Sequence, residues 1–260
     1  MLILYPADFF KPKKVDEAFR PEALRLRDEG FEIHTVNLDD LPAARRRFPS
    51  AIDGPVLYRG WMLDAPAYGQ LVELIASGNG QPFTSEAAYL ATHHIPNWAP
   101  RLGNLTAETI VLPNGSDFES ELRKLGWDAF FVKDYVKSLK VSMGSKISDP
   151  SMIGALVEEM RKYRGTIEGG LCIRRVESLR PDTEQRFFVL NGEAYGAEPG
   201  DVPEIVQTCA QTIDSPFFSV DIAENETGDL RVVELGDGQV SDLVGWSVER
   251  FASVLATLLT

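Results

Sequence analysis

Two acidic residues late in the sequence have the residue types and the spacing that suit metal-assisted chemistry on phosphate. Asp221 and Glu234 lie on two β-rich runs, 217–223 and 230–235, and the Asn/Gly/Asp turn between them predicts neighbouring antiparallel strands. If both side chains point to one face, they form a paired-carboxylate site that Mg²⁺ prefers, with room for phosphate oxygens. A solvated hairpin with two exposed acids is the competing interpretation, and it is favoured on this segment alone.

A cationic stretch upstream supplies the complementary charge. Lys133 ends an apolar run, Lys137 follows four residues later, and the small residues from Ser142 through Gly144 to Ser145 leave backbone amides free. Such a segment can close over a polyphosphate, and a solvated basic loop is the alternative. Because Lys133 follows Ala-Phe-Phe-Val, we expect its stem to be buried. The Gly-Ser-Lys at 144–146 is not a P-loop, since the GxxxxGK[ST] spacing is missing.

Composition indicates a globular protein and excludes several functional classes. The chain has 260 residues, and its 26 Lys+Arg against 39 Asp+Glu give a net charge of −13, which would repel a nucleic-acid backbone. Cys172 and Cys209 are too few for a disulfide scaffold and are predicted to be reduced core thiols. We find no signal-peptide arrangement and no apolar run of membrane-spanning length. We therefore expect a cytoplasmic protein with neither nucleic acid nor membrane as partner.

The elements that must position these residues begin with an alternation of strand and helix. The sequence predicts strands at 2–5, 31–36, 55–58 and 82–84 and helices at 21–30, 65–76 and 85–93, an order typical of a mostly parallel sheet. No GxGxxG follows the first strand, which argues against a dehydrogenase. The stretch 94–104, HIPNWAPRLGN, is rich in turn formers and is predicted to be the crossing into a second part.

The second part has the pattern of an α+β structure with largely antiparallel strands. Strands are predicted at 108–112, 129–133, 171–176, 185–190 and 193–197, and helices at 117–125, 151–163, 202–213 and 247–259. The predicted fold class is thus α/β followed by α+β, with a Rossmann-like domain over residues 1–95 and a second domain over residues 96–260.

This order of elements resembles the ATP-grasp fold. The similarity covers most of 117–260 and rests on a lysine at a strand end, a flexible Gly/Ser loop, a hinge strand, a Glu-x-Arg strand, and the late Asp and Glu. Arg59 together with Lys133 and Lys137 resembles the clade of that superfamily named for one arginine and two lysines. The resemblance implies ATP held between two α+β subdomains, with the Rossmann-like (pre-ATP-grasp) domain completing a substrate cleft.

The resemblance also implies roles for the cationic residues. Lys133 would contact the α- and β-phosphates, while Lys137 and the loop containing Ser142 and Gly144 would cover them. Arg186, in EQRFFVLNG, resembles the arginine that neutralises the γ-phosphate during transfer; an exposed strand arginine is the alternative.

The strand at 171–175 resembles the hinge strand against which adenine packs. Leu171 and Ile173 would give the base apolar surface, and backbone groups that include those of Cys172 would read its polar edge; plain strand core is the alternative. Either Glu177 or Glu184 could accept from the ribose hydroxyls.

The metal ligands implied by the resemblance are Asp221 and Glu234, but the sequence departs from the usual pattern after them. Many ATP-grasp enzymes have Glu-x-Asn for the last ligands, whereas Gly236 stands at the Asn position here and Asp237 follows it. Asp237 is therefore a candidate metal or substrate ligand, and a tight turn with a solvent-facing Asp is the alternative.

Arg59 follows the third strand, where the loops of a parallel sheet meet ligands. It is predicted to hold a substrate carboxylate, with a surface arginine as the alternative. His93 and His94 lack metal-ligand spacing and are predicted to end a helix.

The reaction type is implied by the resemblance: an ATP-dependent carboxylate-amine (or thiol) ligase that works through an acylphosphate, with ATP and Mg²⁺ as cofactors. Its substrates would be small-molecule or peptide carboxylates and amines. A phosphotransferase that uses the same pocket and a non-catalytic ATP-binding regulatory module remain as alternatives. The sequence leaves the substrates and the oligomeric state open.

Overall fold

The chain forms two compact units, each assembled from separate stretches of sequence. The computed structural model describes residues 1–41, 48, 51–136, 145–164 and 167–260. Unit 1 comprises Met1–Ala91, Gln185–Val220 and Gly236–Thr260, and unit 2 comprises Thr92–Glu184 and Asp221–Leu235. These units describe packing, so the predicted domains over 1–95 and 96–260 stay a prediction.

Unit 1 contains the predicted parallel sheet. All strand pairs of this sheet are parallel, and its strand order is β2-β1-β3-β4. The strands are β1 (Leu2–Pro6), β2 (Glu32–Val36), β3 (Pro55–Tyr58) and β4 (Gln81–Pro82), and the α-helices among the described residues before Thr92, with the one that continues to His93, are α1 (Arg20–Asp28), α2 (Ala65–Ser77) and α3 (Glu86–His93). His93 thus ends a helix, as predicted.

The strand pleat of unit 1 separates two apolar cores. Ile3 and Tyr5 of β1 belong to a cluster that includes Phe188, Phe217 and residues of the C-terminal helix. Leu2 and Leu4 belong to a second cluster that includes residues of α2. Since successive strand side chains alternate between faces, both faces of this sheet are covered, as is usual for parallel sheets.

Unit 2 contains an antiparallel sheet with the strand order β5-β8-β6-β7. One face packs against helices through a cluster that includes Leu122, Leu156 and Met160. The elements are α4 (Ile95–Leu102), β5 (Thr109–Pro113), α5 (Phe118–Leu125), β6 (Phe130–Lys133), β7 (Lys146–Ile147), α6 (Ile153–Arg164) and β8 (Gly170–Arg175).

The stretch 94–104, predicted from its turn formers to be the crossing into the second part, is mostly helix α4. Ile95, Trp98, Ala99 and Leu102 are buried at the i, i+3, i+4, i+7 spacing of one helical face. Pro96 lies in the first turn, where a missing N–H costs little. Burial of this face therefore outweighs the intrahelical hydrogen bond that an interior Pro100 removes.

The third sheet has the order β10-β9-β11-β12, and the division between the units falls within β11 and β12. A hydrogen bond from Asn225 N to Asp229 O (2.9 Å) closes the turn between β11 and β12. At the open end of this hairpin, Gly238 N donates to Phe217 O at 3.1 Å. The predicted hairpin is thus confirmed. The elements are β9 (Gln185–Leu190), β10 (Glu193–Gly196), α7 (Glu204–Thr212), β11 (Phe217–Glu224), β12 (Leu230–Asp237) and α8 (Val248–Leu255).

Candidate functional site

Lys133 lies at the carboxyl end of β6 and is buried, as predicted from the apolar run that precedes it. Its side chain is 4% exposed, and its Nζ donates to Glu234 Oε2 at 2.8 Å. Its ammonium lies 5.8 Å from the ring centroid of Phe131. A buried ammonium is costly unless it is paired, so the Glu234 carboxylate is the group that makes this position tenable within unit 2.

The strand pairing of unit 2 brings further polar residues to the Lys133 face of the sheet. Lys133 is the direct partner of Cys172 on β8, and Phe131 is the partner of Arg174. Because directly opposed residues share a face and residues two apart on a strand do too, Lys133, Cys172 and Arg174 lie on one face. Burial raises the pKa of the Cys172 thiol to about 12, with Asp134 contributing, and this keeps it neutral.

Leu171 and Ile173 point to the opposite face of β8. Both are fully buried in the apolar cluster that packs against α5 and α6. Their side chains are therefore strand core, as the alternative interpretation held, and the polar face of the strand belongs to Cys172 and Arg174. A role for β8 in binding adenine stays a prediction.

Arg174 is a buried cation that sequence reasoning did not single out. Its guanidinium donates to Val233 O and to Thr106 Oγ1, each at 2.6 Å, and lies 5.6 Å from the ring centroid of Trp98. Desolvation lowers the pKa of Arg174, while the charge of Glu234 opposes that shift. An arginine on the otherwise apolar run Leu-Cys-Ile was the available signal.

The two predicted metal ligands of unit 2 lie on hydrogen-bonded neighbouring strands. Asp221 on β11 is 4% exposed, and Glu234 on β12 is the partner of Lys133. Among the described residues, no group of three or more His, Cys, Asp or Glu side chains could hold a metal ion. Two carboxylates fit Mg²⁺ nonetheless, because this ion is usually held by one or two carboxylates together with substrate phosphates.

The two candidate ribose ligands differ in their surroundings. Glu177 Oε1 accepts from Nη2 of Arg231 at 2.6 Å and from its Nε at 3.0 Å, a two-donor contact that orients the carboxylate. Glu184 is exposed. The choice between them stays open.

Arg186 on β9 belongs to unit 1. Its Nη1 donates to the carbonyl oxygen of Asp242 at 2.9 Å. Its predicted role at the γ-phosphate stays a prediction.

Arg59 is 2% exposed, so the alternative of a surface arginine is wrong. Its Nη2 donates to Glu22 Oε2 at 2.9 Å, and its Nη1 donates to the carbonyl oxygens of Gly238, Gln239 and Ser241 at 3.3, 3.0 and 2.8 Å. The guanidinium carbon lies 4.8 Å from the ring centroid of Phe251. Its donors thus join α1 to the chain after β12 inside unit 1, and the predicted contact with a substrate carboxylate stays a prediction.

Asp237 is 0% exposed and belongs to unit 1, so the alternative of a solvent-facing turn residue is wrong. Its Oδ1 accepts from the backbone N of Gln239 at 3.0 Å and from Gln239 Nε2 at 3.1 Å, and Nε2 also donates to Tyr68 Oη at 2.7 Å. Desolvation raises the pKa of Asp237 to about 7, against the hydrogen bonds of Gln239 and the charge of Arg59. Its metal role stays a prediction.

Lys137, Ser142 and Gly144, the predicted phosphate-covering residues, lie outside the described residues. Both cysteines are free and buried, as predicted. In the described ranges, no helix combines the length and the apolar character needed to span a bilayer.

The sequence of residues 101–255 matches the profile of an ATP-grasp domain family, the third family of the clade named for one arginine and two lysines. The chain belongs to this family. The predicted assignment to the ATP-grasp superfamily and to this clade is thereby confirmed. The matched range includes Lys133, Arg174 and Glu234, whereas Arg59 lies before it. A search of curated proteins found no match to this sequence.

Solved structures support the same fold over the full chain. D-cycloserine synthetase DcsG is 15% identical with a TM-score of 0.67, covering 100% of this chain and 99% of that one. A RimK domain ATP-grasp protein from Sphaerobacter thermophilus DSM 20745 is 18% identical with a TM-score of 0.64, covering 97% and 98%. The ATP-grasp ligase PsnB, complexed with a phosphomimetic variant of its minimal precursor, Mg and ADP, is 12% identical with a TM-score of 0.62, covering 98% of each chain.

Proposed function

We propose that this protein is an ATP-dependent ligase that joins a carboxylate to an amine or thiol through an acylphosphate. The observation that carries the proposal is the ion pair in unit 2 between the buried Lys133 and the half-buried Glu234, a cation and an anion 2.8 Å apart on strands of the matched ATP-grasp range. A pair of this kind provides the two charges that an ATP–metal complex needs, one for phosphate and one for the cation.

Nucleotide binding is proposed to exchange the partners of this pair. Lys133 would donate to the α- and β-phosphate oxygens in place of Glu234, as its resemblance to the lysine at a strand end in the ATP-grasp fold implies. Glu234 would then be released to ligate a cation. Because both charges are paired before and after the exchange, neither is left buried without a partner. Lys137, Ser142 and Gly144 are proposed to cover the phosphates.

Mg²⁺ is proposed to be held by Asp221 and Glu234, with phosphate oxygens completing its coordination. The ion would supply positive charge that offsets the charge developing on the transferred phosphoryl group. The work of this chain is to orient both carboxylates. Lys133 does this for Glu234, because its Nζ donates to Glu234 Oε2 at 2.8 Å.

The proposed reaction has two displacement steps. An oxygen of the substrate carboxylate attacks the γ-phosphorus, the bond to the β,γ-bridging oxygen breaks, and ADP leaves. The nitrogen or sulfur of the second substrate then attacks the acyl carbon, phosphate leaves with the carboxylate oxygen, and the nucleophile loses a proton. Two anions meet in the first step, so surrounding cations are needed to offset their repulsion.

The proposed substrates are small-molecule or peptide acids and amines. Two similar structures support this class: one is a D-cycloserine synthetase, and the other is a ligase complexed with a precursor peptide. At identities of 15% and 11% they share the fold, and they leave the substrates of this chain to experiment.

The test of the proposed function is the release of ADP and phosphate from ATP and Mg²⁺ with pools of carboxylic acids and amines. A ligase releases both products only when an acid is present, and the acid is recovered as an amide. A phosphotransferase instead leaves the phosphate on its product. ATP binding without ADP formation under any combination would favour a regulatory module and contradict the proposal.

A further inference from the structure

A basic groove lies on unit 1, between the outward face of α1 and strand β2. Its volume is about 550 Å³. Helix α1 contributes Arg20, Leu24 and Arg27 at the i, i+4, i+7 spacing of one face. The groove is lined by Lys13, Lys14, Val15, Arg20, Ala23, Leu24, Arg27, Ile33, His34 and Thr35.

The groove concentrates positive charge in a protein whose net charge is −13. Four of its lining residues are Lys or Arg, and none is acidic. Two of the lining residues have an acidic neighbour: Arg20 Nη2 lies 3.5 Å from Asp8 Oδ2, and His34 Nε2 lies 2.7 Å from Glu32 Oε1. Lys13, Lys14 and Arg27 have no ion-pair partner within the part of the chain that the structure describes. Three unneutralised cations around one concavity favour an anionic ligand.

The groove also has an apolar floor. Val15 and Ala23 are buried beneath it, Ile33 is half-buried, and Leu24 is 52% exposed beside the cations. A ligand that fills the groove therefore meets apolar surface between the positive charges. This composition suits a chain in which acidic and apolar side chains alternate more than it suits a uniformly charged one.

The inner wall of the groove is an edge strand. In the order β2-β1-β3-β4, β2 is the outermost strand. Glu32 N and Val36 O bond toward β1, with Met1 O and Ala7 N as partners. Backbone groups of alternate residues point to opposite sides of a strand, so those of Ile33 and Thr35 point outward, into the groove. No described residue hydrogen-bonds to these outward N–H and C=O groups.

We propose that this groove binds an extended acidic peptide segment of a partner polypeptide, which adds as a strand to the edge of β2. The peptide backbone pairs with the outward amide and carbonyl groups of Ile33 and Thr35. Its carboxylates meet Lys13, Lys14 and Arg27, and its apolar side chains pack on Leu24. The site is independent of the proposed nucleotide site, since it uses no residue of the Lys133–Glu234 cluster.

Charge and shape favour a peptide over other polyanions. The overall acidic charge would repel a long nucleic-acid backbone beyond the groove itself. A free phosphate compound would satisfy the cations but would leave the edge of β2 and the apolar floor without partners. Only a polypeptide offers carboxylates, apolar side chains and backbone amides at the strand repeat.

The test is fluorescence anisotropy with a short fluorescein-labelled peptide of alternating glutamate and valine. The matched probes are the alternating lysine–valine peptide, the glutamate–valine peptide N-methylated at alternate amides, and inorganic tripolyphosphate, which is tested as a competitor and also titrated directly by calorimetry. The groove variant is Lys13→Glu/Arg27→Glu, and both side chains are exposed. Its charge-matched control is Lys146→Glu/Lys162→Glu, which changes two exposed lysines of unit 2. Thermal melts confirm that both variants fold.

We expect saturable binding of the glutamate–valine peptide that weakens with added salt and falls at least about tenfold in the groove variant, but not in the control. The lysine–valine peptide and the N-methylated peptide should bind at least about tenfold more weakly than the parent. Absence of saturable binding, or equal binding by the groove variant, overturns the proposal. Equal binding of the N-methylated peptide overturns strand addition. If tripolyphosphate binds to the wild type but not to the groove variant, and no peptide binds, the groove is a site for a phosphate compound and the peptide proposal is wrong.

Discussion

At the residue scale, Lys133 and Glu234 form an ion pair in unit 2. The ammonium is held where its side chain is 4% exposed, and the carboxylate that neutralises it is 24% exposed. The more exposed partner is the one that can change its contacts at lower desolvation cost. We therefore expect ATP to reach the pair from the side of Glu234 and to replace it as the partner of Lys133.

Replacing Lys133 by methionine keeps the stem and removes the charge. The Lys133→Met variant should lose roughly 2 kcal/mol of ATP-binding free energy, the contribution of a hydrogen bond between charged groups. It should also lose most of the ATP-induced rise in melting temperature. Calorimetric titration with ATP and Mg²⁺ measures this, with the exposed Lys146→Met as control. Unchanged ATP affinity would remove Lys133 from the nucleotide site.

Replacing Glu234 by glutamine keeps an acceptor for Lys133 but removes a metal charge. The Glu234→Gln variant should release ADP on the order of a hundredfold more slowly while its ATP affinity changes much less, because the metal charge matters most during phosphoryl transfer. The exposed Glu226→Gln serves as control. Equal ADP production by the variant and the wild type would reject the metal role.

The raised pKa of Asp237 predicts a pH dependence of stability that can be measured without added metal. Its pKa is raised to about 7 in the folded protein by desolvation, above an ordinary value of 3.8. The folded state therefore favours the protonated form, so this stabilisation is complete below the ordinary pKa and is lost as the pH rises through about 7. Between those values the free energy of unfolding should fall by up to roughly 1.4 kcal/mol per pH unit.

The Asp237→Asn variant tests this slope, because the amide cannot ionise. Denaturant unfolding at a series of pH values should show a flatter dependence between pH 4 and pH 7 in the variant, on the scale of about 1 kcal/mol per unit. Asp53→Asn, at an exposed position, should keep the wild-type slope. Identical slopes for Asp237→Asn and wild type would mean that Asp237 is ionised in the folded protein.

At the element scale, Arg59 connects α1 to the segment after β12. Arg59→Lys keeps one charge but loses the planar donor set that reaches Glu22 and three carbonyl oxygens. We expect the variant to lose about 3 kcal/mol of stability, the scale for disrupting a buried charge pair. Denaturant unfolding measures the loss, with the exposed Arg27→Lys as control. Wild-type stability together with abolished turnover would instead support the predicted contact with a substrate carboxylate.

Elements with a clear period or cap could be predicted from the sequence. The parallel strands of unit 1, the hairpin of β11 and β12, and α5 with its Asp117 cap all lie where local patterns place them. Helix α4 was missed because its two prolines and Asn97, with Gly103 directly after it, favour a turn, although its apolar residues have the spacing of one helical face. Local turn chemistry competes with the apolar period in such a stretch, and tertiary burial decides the outcome.

At the scale of the whole molecule, the sequence predicts the kind of site better than the partners of each side chain. The burial of Lys133 follows from the apolar run before it. The contacts of Arg59, however, lie 37 residues before it at Glu22 and 179–182 residues after it at Gly238, Gln239 and Ser241. No local pattern encodes such pairs. The sequence therefore allowed Arg59 to be interpreted as a surface residue or as a substrate ligand, and did not indicate that it is buried. Arg174 was missed for the same reason, since its partners Thr106 and Val233 are 68 and 59 residues away.

The measurement that tests the central claim most directly is the transfer of ¹⁸O from a labelled substrate carboxylate to phosphate. A pool of ¹⁸O-carboxylate amino acids and peptides is incubated with ATP, Mg²⁺ and hydroxylamine as the nucleophile, and the released phosphate is analysed by mass spectrometry. An acylphosphate predicts one carboxylate oxygen in each phosphate released by the wild type, with far less labelled phosphate from Glu234→Gln. Release of ADP with phosphate that carries no ¹⁸O from the carboxylate would show simple ATP hydrolysis and would contradict the assignment as a ligase.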